Sequence, residues 1–163
     1  MTVESSDAYV AAGGQRIRVR VRPGAEGSRH TAPVVLCNGI GASLEVLDPF
    51  VEQLDPELTV VRFDVPGTGA SPTSLVPYRF PYLAWVLGRV LDELGYSVVD
   101  VLGLSWGGAL AQQFAFQNPR RCRRLVLVAT GTGMLMVSGH PRVLSKMLTP
   151  RRFSDPEYAA SIA

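Results

Sequence analysis

Apolar positions recur along this chain with two different periods, and their alternation predicts the order of its elements. Tyr9-Val10-Ala11-Ala12 and the run from Gln15 to Val21 flank Gly13-Gly14, which predicts a β-hairpin. The second run alternates Ile17, Val19 and Val21 with arginines, the pattern of a half-exposed strand near a sheet edge. Pro33 to Cys37, Leu58 to Phe63 and Arg124 to Ala129 are short apolar runs of the kind that form buried strands. Between them the period changes. Asp48-Pro49 opens a short helix, with Asp48 as N-cap candidate, Pro49 at the first helical position, and Phe50, Val51 and Leu54 as its apolar side. Leu83, Val86, Leu87, Val90, Leu91 and Leu94 share one face of a longer helix closed by Gly95. Trp85 lies off that stripe and is expected to pack on the sheet or a neighbouring loop. Met134 to Ile162 reads as a loosely helical segment. Strands alternating with helices imply an α/β architecture: a mostly parallel, doubly wound sheet with an N-terminal antiparallel hairpin.

The chemistry concentrates in one strand–turn–helix unit. The Val98–Leu102 run is a buried strand that stops at Gly103-Leu104-Ser105-Trp106-Gly107, a G-x-S-x-G. The residues from Ala109 to Phe116 then read as a helix ended by Asn118-Pro119. A serine at such a turn is forced into strained backbone, with its hydroxyl clear of the sheet. Gly103 and Gly107 would let strand and helix approach closely. The helix start behind Ser105 offers free N–H groups and a positive dipole end. Ser105 is therefore the candidate nucleophile; the alternative is a glycine-rich turn with a capping serine. Asn38-Gly39-Ile40-Gly41-Ala42-Ser43 follows another strand, where an oxyanion hole would be built from the amides of Ile40 and Trp106. Asp64-Val65-Pro66-Gly67-Thr68-Gly69-Ala70-Ser71 lacks both Gly-Lys-Ser/Thr and G-x-G-x-x-G, so it reads as a structural turn in which Asp64 and Ser71 bond nearby backbone.

Composition narrows the classes. With 47% hydrophobic and 18% charged residues among 163, the chain is globular, and a net charge of +2 predicts little about partners. Arg120, Arg121, Arg123, Arg124, Arg142, Lys146, Arg151 and Arg152 bunch late; without interleaved aromatics they read as a solvated helix end and surface loop, not a nucleic-acid site. Cys37 and Cys122 belong to no CxxC or metal-type cluster and are expected as free thiols, so no metal or cofactor is implied. The N-terminus shows no apolar signal region and no window approaches a membrane span, which predicts a cytoplasmic protein. His30 lies in a polar loop and reads as a surface residue.

With those residues in view, the chain resembles the amino-terminal part of an α/β-hydrolase, and more narrowly the intracellular poly(3-hydroxyalkanoate) depolymerases. The stretches that carry the resemblance are Asn38–Ala42, Phe63–Gly67, Tyr78–Pro81, Ser105–Ala115, Pro119–Leu127 and Pro150–Arg152. It implies that Ser105 attacks an ester carbonyl of a polyester or acyl substrate, and that Ile40 and Trp106 hold the oxyanion. An imidazole would move the serine proton, with storage granules a possible surface of action. It also implies residues 1–133 as the N-terminal part of the core and 134–163 as the start of a cap. The family carries its acid and base after later strands, in the order Ser, Asp, His. After Ser105 this chain has only His140, placed too early, and Asp155 before Pro156 reads as a helix cap. The expectation is a fold truncated before its last strands, with no triad acid or base in this chain. Leu125–Ala129 would be left as an apolar sheet edge, prone to bind ANS or to oligomerise. The alternatives are a non-catalytic remnant or interaction module, or another activity of the fold: esterase, cofactor-free haloperoxidase or C–C hydrolase. Met134, Leu135, Met136 and Val137 read as ordinary packing, with an acyl-site lining as the other possibility.

Overall fold

Two successive left-handed glycines start the fold. Gly13 and Gly14 take φ of 59° and 74°, the pair of positive values that a two-residue hairpin turn requires. They join β1 (Asp7–Ala12) to β2 (Gln15–Arg22), with Ala12 opposite Gln15. The computed structural model describes residues 7–26, 32–75 and 77–131, and eight positions beyond them: 141, 145, 146, 149, 151, 155, 157 and 158. Four further strands are β3 (Val34–Cys37), β4 (Val60–Phe63), β5 (Val99–Leu104) and β6 (Cys122–Val128). The sheet order is β1-β2-β4-β3-β5-β6. β1–β2 and β2–β4 pair antiparallel, whereas β4, β3, β5 and β6 run parallel. The expected mixed sheet is what the chain forms.

Helices cover both faces. α2 (Phe80–Glu93) buries Leu83, Val86, Leu87, Val90 and Leu91, five of the six residues of the predicted stripe, and Gly95 at φ 77° follows its end. Together with α3 (Trp106–Gln117) it packs on Ile17, Val19, Val35, Val61, Val99 and Val101. The opposite face packs Leu36 and Val60 against Leu47 and Val51, from a 3-10 turn (Leu44–Leu47) and α1 (Asp48–Glu52). Trp85 packs outside the core, over Gly13, where a Cβ would overlap its ring, and beside Tyr82. Among the described residues β6 is the edge strand, and Leu125, Val126, Leu127 and Val128 are all exposed: the apolar run read as a buried strand is instead the apolar sheet edge that the resemblance implied, because no described strand pairs with its outer side. No helix among the described residues is long and apolar enough to cross a membrane.

Charge patterning misleads at three places. Of the four arginines of β2, Arg16 is exposed, over the Tyr9 ring, but Arg18, Arg20 and Arg22 are not solvated: they form a layer between the sheet and the 44–58 segment. Arg18 pairs with Asp7, Glu45 and Asp64; Arg20 pairs with Asp7 and Asp48. Arg22 donates to the carbonyls of Val51 (2.6 Å), Asp55 (2.9 Å) and Leu58 (3.2 Å). An alternating strand looks half-exposed when its polar face is in fact matched by carboxylates and carbonyls. Asp48 likewise is not an N-cap: it lies inside α1, makes no capping bond, and binds Arg62. Phe50 is exposed, and Leu54 packs from beyond the helix end. Among the late arginines, Arg121 clamps α2 by donating to Tyr96 O (2.9 Å) and Gly88 O (3.3 Å), and Arg123 on β6 pairs with Asp100 at 2.6 Å. Asp155 does cap, its Oδ1 accepting from the Tyr158 amide at 3.0 Å.

This layer predicts acid sensitivity. Hydrogen bonds from Arg20, then Arg18, hold the Asp7 carboxyl at about 2 against the cost of burial. Burial pushes Glu45 up, but bonds from Arg18 and Ser43 outweigh it and bring that carboxyl to about 2. Both folded values lie below the unfolded ones, so the stabilisation is complete above the ordinary carboxylate range. It is lost as pH falls from about 4 towards 2. Urea midpoints measured across that window should fall more steeply for the wild type than for the Asp7→Asn/Glu45→Gln double variant; parallel curves would contradict the assignment.

Candidate active site

β5 ends at Leu104 and α3 begins at Trp106, so Ser105 alone turns the chain. It does so at φ 52°, ψ −119°, a conformation that costs a non-glycine residue about 1–3 kcal/mol. Its neighbours hold it there: the Ser105 amide donates to Val128 O on β6 (2.9 Å), and its carbonyl accepts from Gly108 N (2.9 Å). The hydroxyl makes no cap bond to α3, which removes the capping-serine alternative. Three glycines make the turn geometrically possible. A Cβ on Gly103 would lie 2.5 Å from Gly108 Cα; one on Gly107 would overlap the carbonyl oxygens of Cys37 and Asn38; one on Gly108 would overlap Thr130. The expected roles of Gly103 and Gly107 thus hold.

The turn after β3 reaches the same place. Asn38 Nδ2 donates to Ser43 O (2.8 Å) and Asn38 Oδ1 accepts from the Gly39 amide (2.8 Å), with Gly41 left-handed at φ 68°. The turn continues into Leu44, whose amide donates to Asp64 Oδ1 at 2.7 Å. Gly107 sets the carbonyls of Cys37 and Asn38 directly against the first turn of α3. Ile40 is 37% exposed on this turn. Trp106 opens α3, where the first amides have no acceptor within the helix. Asp64 and Ser71 bond nearby backbone as expected: Asp64 Oδ2 accepts from Ala70 N (3.0 Å), and Ser71 Oγ donates to Asp64 O (2.8 Å). The ion pair of Asp64 with Arg18 carries no local sequence signal and is found only in the structure.

Ser105 opens onto a cavity of about 650 Å³ lined by Phe80, Trp106, Ala109, Gln113, Phe116 and Thr130, among others. Phe80 and Trp106 meet there as a tilted pair, with ring centroids 5.0 Å apart and an interplanar angle of 43°. Ser105 and Trp106 are on its wall and Ile40 is not. The far wall turns at Ala129, a second left-handed non-glycine (φ 48°), and Gln112 Nε2 holds it by donating to Gly131 O at 2.9 Å. Sequence reading missed Gln112, Gln113 and Phe116. The signal was present, since Trp106, Ala109, Gln113 and Phe116 fall at i, i+3, i+7 and i+10, opposite the buried Gly107, Leu110, Ala111 and Phe114. Met134–Val137, His30 and His140 lie outside the described residues. Cys37 and Cys122 are free, and burial pushes the Cys37 thiol up to about 12, so it is not a competing nucleophile.

A family model for the alpha/beta hydrolase fold matches residues 32–161. The chain is 54% identical over 149 residues to a poly(3-hydroxyalkanoate) depolymerase of Ectopseudomonas oleovorans, covering 91% of this chain and 52% of the relative. It is 33% identical to the dihydrolipoyllysine-residue acetyltransferase component of the acetoin cleaving system of Cupriavidus necator, covering 84% of this chain and 36% of that protein. The crystal structure of the enol-lactonase from Burkholderia xenovorans LB400 superposes with a TM-score of 0.71 at 26% identity, over 94% of this chain and 56% of that one. The chain therefore spans about half the length, or less, of the curated relatives it matches. Fold, matched residues and relatives agree: the chain belongs to the α/β-hydrolase family.

Proposed function

We propose that this chain carries the nucleophile side of a serine ester hydrolase acting on polyester or acyl ester substrates. One observation carries the reading: Ser105 is held in a left-handed turn, uncapped, facing an apolar cavity. In the reaction the Ser105 Oγ attacks the ester carbonyl carbon and the amides of Ile40 and Trp106 receive the negative oxygen. The serine proton passes to a base and then to the departing alkoxide, leaving an acyl-enzyme that water cleaves. Neither histidine of the sequence is among the described residues, so no base is assigned. The likeness to a poly(3-hydroxyalkanoate) depolymerase favours a hydroxyalkanoate ester as substrate. A cytoplasmic setting belongs to the same reading and is supported by the two free thiols.

A fluorophosphonate probe tests the site, with imidazole added to the buffer as an external base. One label per chain is expected, at Ser105, and none on Ser105→Ala. Labelling that ignores Ser105, or no labelling at all, would favour the remnant reading, in which the turn persists without chemistry. Ser105→Gly should also lose the label, yet gain about 1 kcal/mol of stability by relieving the positive φ.

A further inference from the structure

The cleft face of α3 is largely apolar and carries a side-chain amide that the fold does not use. Of the polar side chains on the cavity wall, Ser105 is the proposed nucleophile and Thr130 presses against Gly108. Gln112 spends its amide nitrogen on Gly131 O (2.9 Å) and Gly108 O (3.2 Å). Gln113 is half-buried on the same wall, and its side chain makes no hydrogen bond to any described residue. Its flanks on this face are Ala109 and Phe116, so its amide sits between apolar surfaces. An unspent amide in such a wall is the kind of isolated polar group by which apolar pockets orient ligands.

We infer that Gln113 is a specificity-determining contact: its Nε2 donates to a second ester carbonyl of a chain-like substrate, so that the cleft selects an oligoester over a simple alkyl ester. The inference rests on Ser105 acting on esters as proposed above. The spacing fits. Eight residues of helix separate Ser105 from Gln113, about 12 Å along the axis at 1.5 Å per residue. A 3-hydroxyacyl ester repeats every four backbone atoms, about 5 Å when extended at ordinary bond lengths. A chain with one carbonyl at Ser105 therefore brings its second or third further carbonyl level with Gln113. A saturated alkyl chain presents only methylenes there and leaves the amide unpaired. Phe116, 82% exposed, lies one turn further on. The cleft thus opens at that end, and a longer chain can leave without being threaded.

The experiment compares two probes on the 163-residue chain in a Ser105→Ala background, which prevents turnover. One is a linear trimer of 3-hydroxybutyrate as its methyl ester; the other is an alkyl methyl ester with the same number of chain atoms. The trimer should bind about fivefold more tightly, the net worth of one neutral hydrogen bond. Gln113→Leu should abolish that preference while keeping or raising affinity for the alkyl ester. Gln113→Glu, which keeps the shape but removes the donor, should abolish it too. Equal binding of both probes, or a preference that survives both variants, overturns the subsite and leaves the Ser105 reading standing. Failure of the trimer to bind overturns the subsite, and failure of both probes to bind overturns the Ser105 reading as well.

Discussion

Asp64→Ala should cost this chain about 3–5 kcal/mol, the loss expected when one partner of a buried ion pair is removed, seen as a large drop in the urea midpoint. The carboxylate is fully buried and engaged on every side. Oδ1 accepts from the Leu44 amide at 2.7 Å; Oδ2 accepts from the Ala70 amide at 3.0 Å and pairs with Arg18 Nη1 at 3.2 Å. Its own backbone is fixed too, by Arg18 O accepting from Asp64 N (3.0 Å) and by the Ser71 hydroxyl. Gly69, left-handed at φ 53°, leaves the space that the carboxylate fills. Alanine would strand two amides and weaken the pairing of an almost buried guanidinium, whose remaining partners, Asp7 and Glu45, are partly exposed. Asp64→Asn keeps an oxygen for one of the two amides but aims N–H protons at the other donors, so it should fall between alanine and wild type. Arg89→Ala is the control: it breaks an ion pair with a 50% exposed side chain, and such pairs are worth about 0.2–1 kcal/mol. An Asp64→Ala loss no larger than that of Arg89→Ala would show that the network is not what holds the two turns together.

That network also shows where sequence reading stops. Hydrophobic period identifies α2 and the parallel strands because burying apolar surface is the strongest force favouring the folded chain, and it leaves its spacing in the sequence. The Ser105 turn is legible for a different reason: it needs glycines at fixed offsets, and nothing else fits between β5, α3 and the end of β3. The Arg18–Asp64 pairing has no such mark. Its members lie 46 positions apart, and an arginine alternating with valines looks the same whether water or a carboxylate satisfies it. Gln113 was hidden similarly. Its position on the cleft face follows from helical spacing once α3 is oriented, but which face of α3 meets the sheet is decided by Leu110 and Phe114 packing in three dimensions. Boundaries moved for local reasons. β5 runs on through Gly103 to Leu104 because Cys37 on β3 and Val128 on β6 still pair with it.

Gly107→Ala should be the most damaging single-atom change in the site, costing about 3 kcal/mol, the upper part of the range for overpacking. The added Cβ would meet the Cys37 and Asn38 carbonyl oxygens, which are backbone atoms at the end of a central strand and cannot rotate away. Two other glycines separate this steric cause from a loss of backbone freedom. Gly14 has open space around it but a φ of 74°, so Gly14→Ala should cost only about 1 kcal/mol through strain. Gly39 has open space and no positive φ, so Gly39→Ala should change stability by less than about 0.5 kcal/mol. Denaturant midpoints for the three variants should follow that order. Phosphonate labelling in the presence of imidazole should add a second distinction. Gly107→Ala pushes α3 away from the Asn38–Ser43 turn and so should slow labelling even where the protein remains folded, whereas Gly14→Ala, at the far hairpin, should label at the wild-type rate. Equal stability losses at Gly14 and Gly107 would mean that the close approach of α3 to β3 relaxes at little cost, and that the two turns are not locked into one site by the missing side chain.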